Sequence, residues 1–180
     1  MYEIVILGEL LENNKSGYKL GLILNNILGP GRKISNGTLH PLLVRLGKEG
    51  DLTWQVDPKS TRGKKNAQIT PQGAEHFQAL MREPVPENAR RDETYRFKIA
   101  ELRQVDPEVQ LQILQDFRSV TQSEYDAYAE HREHVLKLPN KPADEIAWTA
   151  TSFDLYLNIA TTKLTWIDNQ IHQLTMKGSH

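Results

Sequence analysis

The fold is decided by residues 35–56, SNGTLHPLLVRLGKEGDLTWQV, where the spacing of the apolar residues changes. The first part predicts a helix packed by one face, because its leucines recur at intervals of three and four. These are Leu39, Leu42, Leu43 and Leu46. Ser35 or Thr38 is the expected N-cap, and Pro41 is tolerated if the helix effectively begins near Thr38. After Gly50, alternating apolar residues predict a half-buried strand. These are Leu52, Trp54 and Val56.

Two more helices are predicted before this stretch, and a second strand and a helix after it. Residues 1–11 have helical apolar spacing, and Ser16 can cap a second helix that stops at residues 29–31, GPG. Ala67 and Ile69 alternate on a second short strand, which completes a β-hairpin. Thr70 and Pro71 then suit the start of a helix. The order helix, helix, helix, hairpin, helix is typical of a winged helix-turn-helix.

The remaining sequence predicts a mostly α protein with a helical C-terminal domain. We expect a DNA-binding domain over 1–82, a linker and connecting segment over 83–106, a dimerisation domain over 107–177 and a probable tag remnant at 178–180.

The last predicted helix, from about residue 143 to 176, carries two apolar lines. The first is a narrow seam of Ile146, Phe153, Tyr156, Ala160, Leu164, Ile167, Ile171 and Leu174. A second ridge holds Trp148, Leu155, Ile159 and Trp166. One partner helix cannot cover both lines, so the seam is predicted to form a homodimer. Burial inside a monomeric bundle is the alternative.

Composition restricts the function further. There are no cysteines, which excludes disulfides and thiolate metal sites and fits a reducing cytoplasm. Residues 1–11 are too short for a membrane span and lack a basic leader, so we expect a cytoplasmic protein without a membrane partner. Residues 1–82 contain 11 basic and 7 acidic residues, whereas the remainder has an acidic excess. This asymmetry predicts a polyanion partner for the first half.

Three groups of residues are predicted to contact double-stranded DNA. The recognition helix offers Ser35, Asn36, Thr38, His40, Arg45 and Lys48, which can reach base edges or phosphates. The hairpin tip, or wing, offers Lys59, Arg62, Lys64 and Lys65, whose clustering favours a phosphate backbone. The start of the second helix offers Lys15, Ser16 and Tyr18.

Several of these stretches resemble the PadR family of bacterial transcriptional regulators. They are SGYKL (16–20), ISNGTLHPLL (34–43), Arg45-Leu46, Glu49-Gly50, Ile69-Thr70 and Gly73. The segments PVPE (84–87) and YRFK (95–98) resemble the longer PadR subgroup. Two positions depart from the family pattern. His40 stands where a tyrosine is usual, and Asn66-Ala67 where an aromatic pair is usual, so an operator sequence cannot be transferred.

The resemblance implies a homodimer that binds a pseudo-palindromic operator. Many relatives are repressors that release DNA when a small aromatic effector binds. Trp148, Trp166, Tyr95 and Phe97 are candidates for such a pocket, and ordinary core or dimer packing is the alternative for them.

Two other classes of function were weighed. No catalytic residues are predicted, because no phosphate loop, zinc-protease motif or nucleophile elbow is present. His131 and His134 have a spacing that could bind metal, but Glu130 and Glu133 favour a solvated charged face, so no metal or cofactor is expected. A winged-helix module that binds only protein, without specific DNA binding, is the main alternative.

Overall fold

The computed structural model describes residues 1–56, 63 and 65–177. Its helices and strands occur in the predicted order, and the fold is mostly α with one hairpin, as predicted. They are α1 (Tyr2–Glu12), α2 (Gly17–Leu28), α3 (Asn36–Glu49), β1 (Leu52–Val56), β2 (Lys65–Ile69), α4 (Pro71–Arg82), α5 (Arg91–Ala100), a 3-10 turn (Leu102–Gln104), α6 (Pro107–Leu136) and α7 (Ala143–Lys177).

The chain forms two compact units, Met1–Gln110 and Leu111–His180. The first unit therefore extends beyond residue 82, where the sequence predicted its end. The predicted linker 83–106 is largely structured, because it contains α5, which the sequence reading missed. Phe97 of α5 is fully buried and packs against Tyr2 of α1, with ring centroids 5.6 Å apart. Its neighbour Lys98 donates from Nζ to the carbonyl oxygen of Met81 at 3.0 Å, which satisfies the end of α4.

The hairpin has the antiparallel register that the alternating residues require. Leu52 pairs with Ile69 and Trp54 pairs with Ala67. Thr70 caps α4 by accepting from the backbone N–H of Gly73 at 3.0 Å, and Pro71 occupies the first turn. A side chain at Gly73 would place its Cβ 2.0 Å from the carbonyl oxygen of Asp51, so only glycine allows α4 to approach the hairpin this closely.

The second unit pairs α6 with α7 in antiparallel directions. Two ion pairs join the helices: Arg118 Nε lies 2.6 Å from Asp168 Oδ1, and Arg132 Nε lies 2.6 Å from Asp154 Oδ1. Between these ion pairs, Tyr128 stacks on Tyr156 with ring centroids 4.9 Å apart. Residues later in α6 pair with residues earlier in α7, so the two helices run antiparallel.

The predicted dimer seam faces α6 within the same chain. Ala160 and Ile167 are buried, Phe153 and Leu164 are half-buried, and Phe153 lies near Tyr128 with ring centroids 6.5 Å apart. Ile146, Ile171 and Leu174 are also half-buried, whereas Tyr156 remains exposed but stacked. Helix pairing inside the unit therefore uses most of the seam, and the dimer contact assigned to these residues stays a prediction.

The second ridge of α7 is the exposed one. Trp148, Leu155, Ile159 and Trp166 all remain exposed, and their spacings of seven, four and seven place them on one line of the helix. We call these four residues the outer ridge.

Candidate nucleic-acid interface

Helix α3 is held by caps at both ends and by a buried stripe. The hydroxyl of Ser35 accepts from the backbone N–H of Thr38 at 3.1 Å, which makes Ser35 the N-cap. Gly50 closes the helix in a left-handed conformation, with φ of 88°. The stripe of Leu39, Leu43 and Leu46 is buried. The side of α3 opposite this stripe is therefore presented to solvent.

The helix begins two residues earlier than the sequence reading favoured. Pro41 consequently lies in the second turn, where it cannot donate to the carbonyl oxygen of Gly37. Ser35, rather than Thr38, supplies the cap.

Every residue predicted for base contact lies on the exposed surface of this helix or at its cap. These are Ser35, Asn36, Thr38, His40, Arg45 and Lys48. The hydroxyl oxygens of Ser35 and Thr38 lie 3.0 Å apart, so these two side chains are engaged with each other. His40 and Asn36 border a cavity, described below, on the α2 side of the helix.

Three residues that sequence reasoning did not select complete this surface. Gly37, Pro41 and Val44 are exposed, and together with Lys48 they occupy the line of α3 most directly opposite the leucine stripe. Their positions could have been found by plotting residues 36–49 around a helix. They carry no hydrogen-bonding side chain, so a prediction based on polar residues does not include them.

Arg45 is less free than its predicted role requires. Its guanidinium forms an ion pair with Glu3 of α1 and donates to Glu49 at 3.0 and 3.2 Å. To contact a base or a phosphate, the guanidinium of Arg45 would have to leave the partly exposed carboxylates of Glu3 and Glu49.

A cavity of about 470 Å³ separates the beginning of α2 from the beginning of α3. Tyr18 stands at its edge with 78% of its surface exposed, and His40 stands across from it. The side chain of Asn25 accepts from the backbone N–H of Ile34 at 2.7 Å, which fixes the turn between the two helices. Ser16 caps α2 by accepting from the backbone N–H of Lys19 at 3.3 Å.

Lys15 was predicted to contact the DNA backbone, and the structure gives it a different role. It is only 4% exposed, its ammonium donates to the carbonyl oxygen of Glu9, and it pairs with the carboxylates of Glu9 at 2.9 Å and Glu12 at 3.8 Å. Its backbone also forms a bridge to Ala67 of β2. A buried, paired ammonium is unavailable to phosphate, so Lys15 is removed from the candidate interface.

Glu101 adds a buried carboxyl group beside this cluster. It packs so closely on Gly8 that a Cβ there would lie 2.4 Å from its Oε2. Burial, and to a smaller extent the neighbouring charge of Glu9, raise the pKa of Glu101 to about 8, against the lowering effect of Lys15.

The wing is described only at its base. Lys65 is exposed on β2, whereas Lys59, Arg62 and Lys64 lie outside the described residues. On β1, Trp54 and Val56 are exposed on the same strand face.

The four aromatic residues considered for an effector pocket lie in two different units. Tyr95 and Phe97 are buried in the core of the first unit. Trp148 and Trp166 are 77% and 40% exposed on α7, where eighteen residues separate them by about 27 Å. The effector role of these four residues stays a prediction.

Among residues 1–56, 63 and 65–177, no group of three or more histidine or acidic side chains is placed to hold a metal ion. His131 instead stacks on Phe153, with ring centroids 6.1 Å apart. Within the same part of the chain, every helix is too short or too polar to cross a membrane.

The first unit is a winged helix-turn-helix domain, defined by the order of its elements and by the exposed face of α3. No protein-family model matches the chain, and no curated protein matches it. Bacillus subtilis PadR, solved in complex with operator DNA, is 18% identical over 95% of this chain and 96% of that chain, with a TM-score of 0.43. A PadR-like transcriptional regulator from Bacillus cereus is 18% identical over 98% and 99%, with a TM-score of 0.42.

The Vibrio cholerae virulence activator AphA is 17% identical over 98% of this chain and 99% of that chain, with a TM-score of 0.41.

Proposed function

We propose that this protein is a PadR-type transcriptional regulator that binds double-stranded DNA in a sequence-specific manner, and that it is not an enzyme. The family assignment is supported by the motifs at residues 16–20 and 34–43 and by the winged-helix order of the elements. A regulator of bacterial DNA would act in the cytoplasm.

The exposed face of α3 is the observation that carries the proposal. Three buried leucines pack the opposite face of the helix on the core, so the helix can enter a major groove without rearranging. Asn36 and His40 offer hydrogen-bonding groups at its N-terminal half, and Lys48 offers a charge at its C-terminal end. Such a helix supplies base contacts at one end and a phosphate contact at the other.

Contacts to the DNA backbone would flank this helix on both sides. Tyr18 is exposed in the first turn of α2, where the helix dipole favours a phosphate oxygen. Lys65 begins the basic wing, to which the sequence adds Lys59, Arg62 and Lys64. These contacts would position the protein, and α3 would select the sequence.

We further propose a homodimer joined through the outer ridge of α7 rather than through the inner seam. Four large apolar side chains on one line of a helix exceed what a surface helix usually exposes. A second copy of the same ridge would cover them symmetrically. The dimer would then present two α3 helices to major grooves of a pseudo-palindromic operator, about 34 Å apart.

The resemblance also favours repression that ends when a small aromatic effector binds. Bacillus subtilis PadR has been solved in complex with p-coumaric acid. In this proposal the effector would shift the population of dimers towards a spacing that misfits successive grooves. Phenolic acids are therefore the first ligands to add to a protein–operator complex.

The experiment is a binding titration against DNA from the gene's own upstream region, at two salt concentrations and with unrelated DNA as control. Tight, selective and salt-sensitive binding supports a regulator. Weak binding that ignores sequence would contradict it and would favour the alternative, a winged-helix module that binds only protein.

A further inference from the structure

The line of α3 that faces most directly away from the core is apolar at its centre. Gly37, Pro41, Val44 and Lys48 follow one another at spacings of four, three and four, so they share one face. All four are exposed, and Val44 exposes 38% of its surface. Only Lys48, at the end of the line, carries a polar side chain.

The polar residues of α3 lie to either side of this line. Asn36 and His40 lie towards α2, where they border the cavity beside Tyr18. Arg45 lies towards α1, where it pairs with Glu3. A helix that enters a major groove by its outward face would therefore place Pro41 and Val44, rather than a hydrogen-bonding group, against the bases beneath its middle.

The chemistry of these two side chains selects among the four base pairs. Neither side chain can donate or accept a hydrogen bond, so the polar edge of a guanine or a cytosine would lose water without gaining a partner. Thymine offers a C5-methyl group in the major groove, which apolar side chains contact favourably. Gly37 adds no side chain, so the helix can approach the base edges closely at this end.

We propose that Pro41 and Val44 read thymine methyl groups at the base pairs beneath the middle of α3. This inference rests on the proposed function, because it assumes that α3 enters a major groove. It predicts that the central base pairs of each half-site must contain thymine. His40 and Asn36 would form hydrogen bonds with the adjacent base pairs.

The test uses the full-length protein and the operator found in the titration above. Each thymine of a half-site is replaced in turn by deoxyuridine, which lacks only the C5-methyl group. At one or two central positions the affinity should fall by about fourfold, as expected for one buried methyl group. The positions outside α3 should show no change.

Two variants assign the effect to residues. With Val44→Ala or Pro41→Ala, the difference between thymine and deoxyuridine should disappear at the position that the side chain contacts. Alanine favours the helix at both sites, so the fold should be retained, as circular dichroism would show. His40→Ala is the matched control, and it should keep the difference.

The outcomes separate this inference from the function on which it rests. Specific binding without any thymine–deoxyuridine difference would overturn the inference and leave the regulator standing. A difference that persists in both alanine variants would overturn the assignment to Pro41 and Val44. Absence of specific DNA binding would overturn both proposals.

Discussion

The backbones of Lys15 and Ala67 exchange two hydrogen bonds, from Lys15 N to Ala67 O at 3.1 Å and from Ala67 N to Lys15 O at 2.8 Å. The segment between α1 and α2 is thus joined to the base of the wing by a single β-bridge. Ala67 is fully buried under it. The small side chain at this position fits this close approach.

Replacing Lys15 should destabilise the fold without acting directly on DNA binding. Lys15→Met removes a buried ammonium and leaves the carboxylates of Glu9 and Glu12 without it, so the free energy of unfolding should fall by about 1–3 kcal/mol. Thermal unfolding followed by circular dichroism measures this. Lys19→Met, at an exposed position, is the control and should change stability by less than about 0.5 kcal/mol. Equal losses in the two variants would contradict the role given to Lys15.

Glu101 should make stability fall as the pH rises. Its pKa is about 8 in the folded protein against an ordinary value of 4.5, so between these values the folded state holds a proton that the unfolded state has released. The free energy of unfolding should therefore decrease with pH across this window, by at most about 1.4 kcal/mol per pH unit, and level off above it. Glu101→Gln should remove this slope.

The measurement for Glu101 is urea unfolding at several pH values across that window. Glu87→Gln, at an exposed position, is the matched control and should keep the slope of the parent protein. Parallel pH profiles for Glu101→Gln and the parent protein would show that Glu101 ionises normally.

A charge on the outer ridge should separate the proposed dimer. Ile159→Asp places a carboxylate among Trp148, Leu155 and Trp166, where its desolvation would oppose association. Analytical ultracentrifugation should show a monomer. Asn158→Asp introduces the same charge at the neighbouring exposed position, off the ridge, and should leave the dimer intact. A dimer that survives Ile159→Asp would place the contact elsewhere.

The wing lysines should contribute affinity that does not depend on DNA sequence. Replacing Lys64 and Lys65 by alanine should weaken binding to operator and unrelated DNA alike and lower the salt dependence by about two counterions. Replacing Lys137 and Lys141 removes the same charge from the second unit and is the control. Titrations at several salt concentrations check this, and an unchanged slope in the wing variant would remove the wing from the interface.

Local signals in the sequence predicted the element order because their physical causes are local. Ser35, Gly50 and Thr70 act within one turn of the helix that each delimits, so their roles could be read from neighbouring residues. The leucine stripe of α3 likewise follows from periodicity alone. The half-buried face predicted for β1 is buried only at Leu52, because Trp54 and Val56 are exposed.

The errors arose where a residue's partner is distant in sequence. Lys15 was predicted to be a surface cation because its bridge to Ala67 joins residues that are far apart in the sequence. The packing of the α7 seam on α6 was not predicted either, because periodicity cannot distinguish α6 from a second chain. Helix α5 was missed because the prolines before it and the charges within it resemble a linker. Its buried Phe97 packs on Tyr2, which lies near the other end of the unit in sequence.

The exposure of the tryptophans has a practical consequence for spectroscopy. The chain has three, Trp54 on β1 and Trp148 and Trp166 on α7, and all are exposed to solvent. Intrinsic fluorescence can therefore be divided between the two units. With Trp148 and Trp166 changed to phenylalanine, the remaining emission would arise at the base of the wing alone. A single-tryptophan protein of this kind would give an optical signal for DNA that is free of any contribution from self-association.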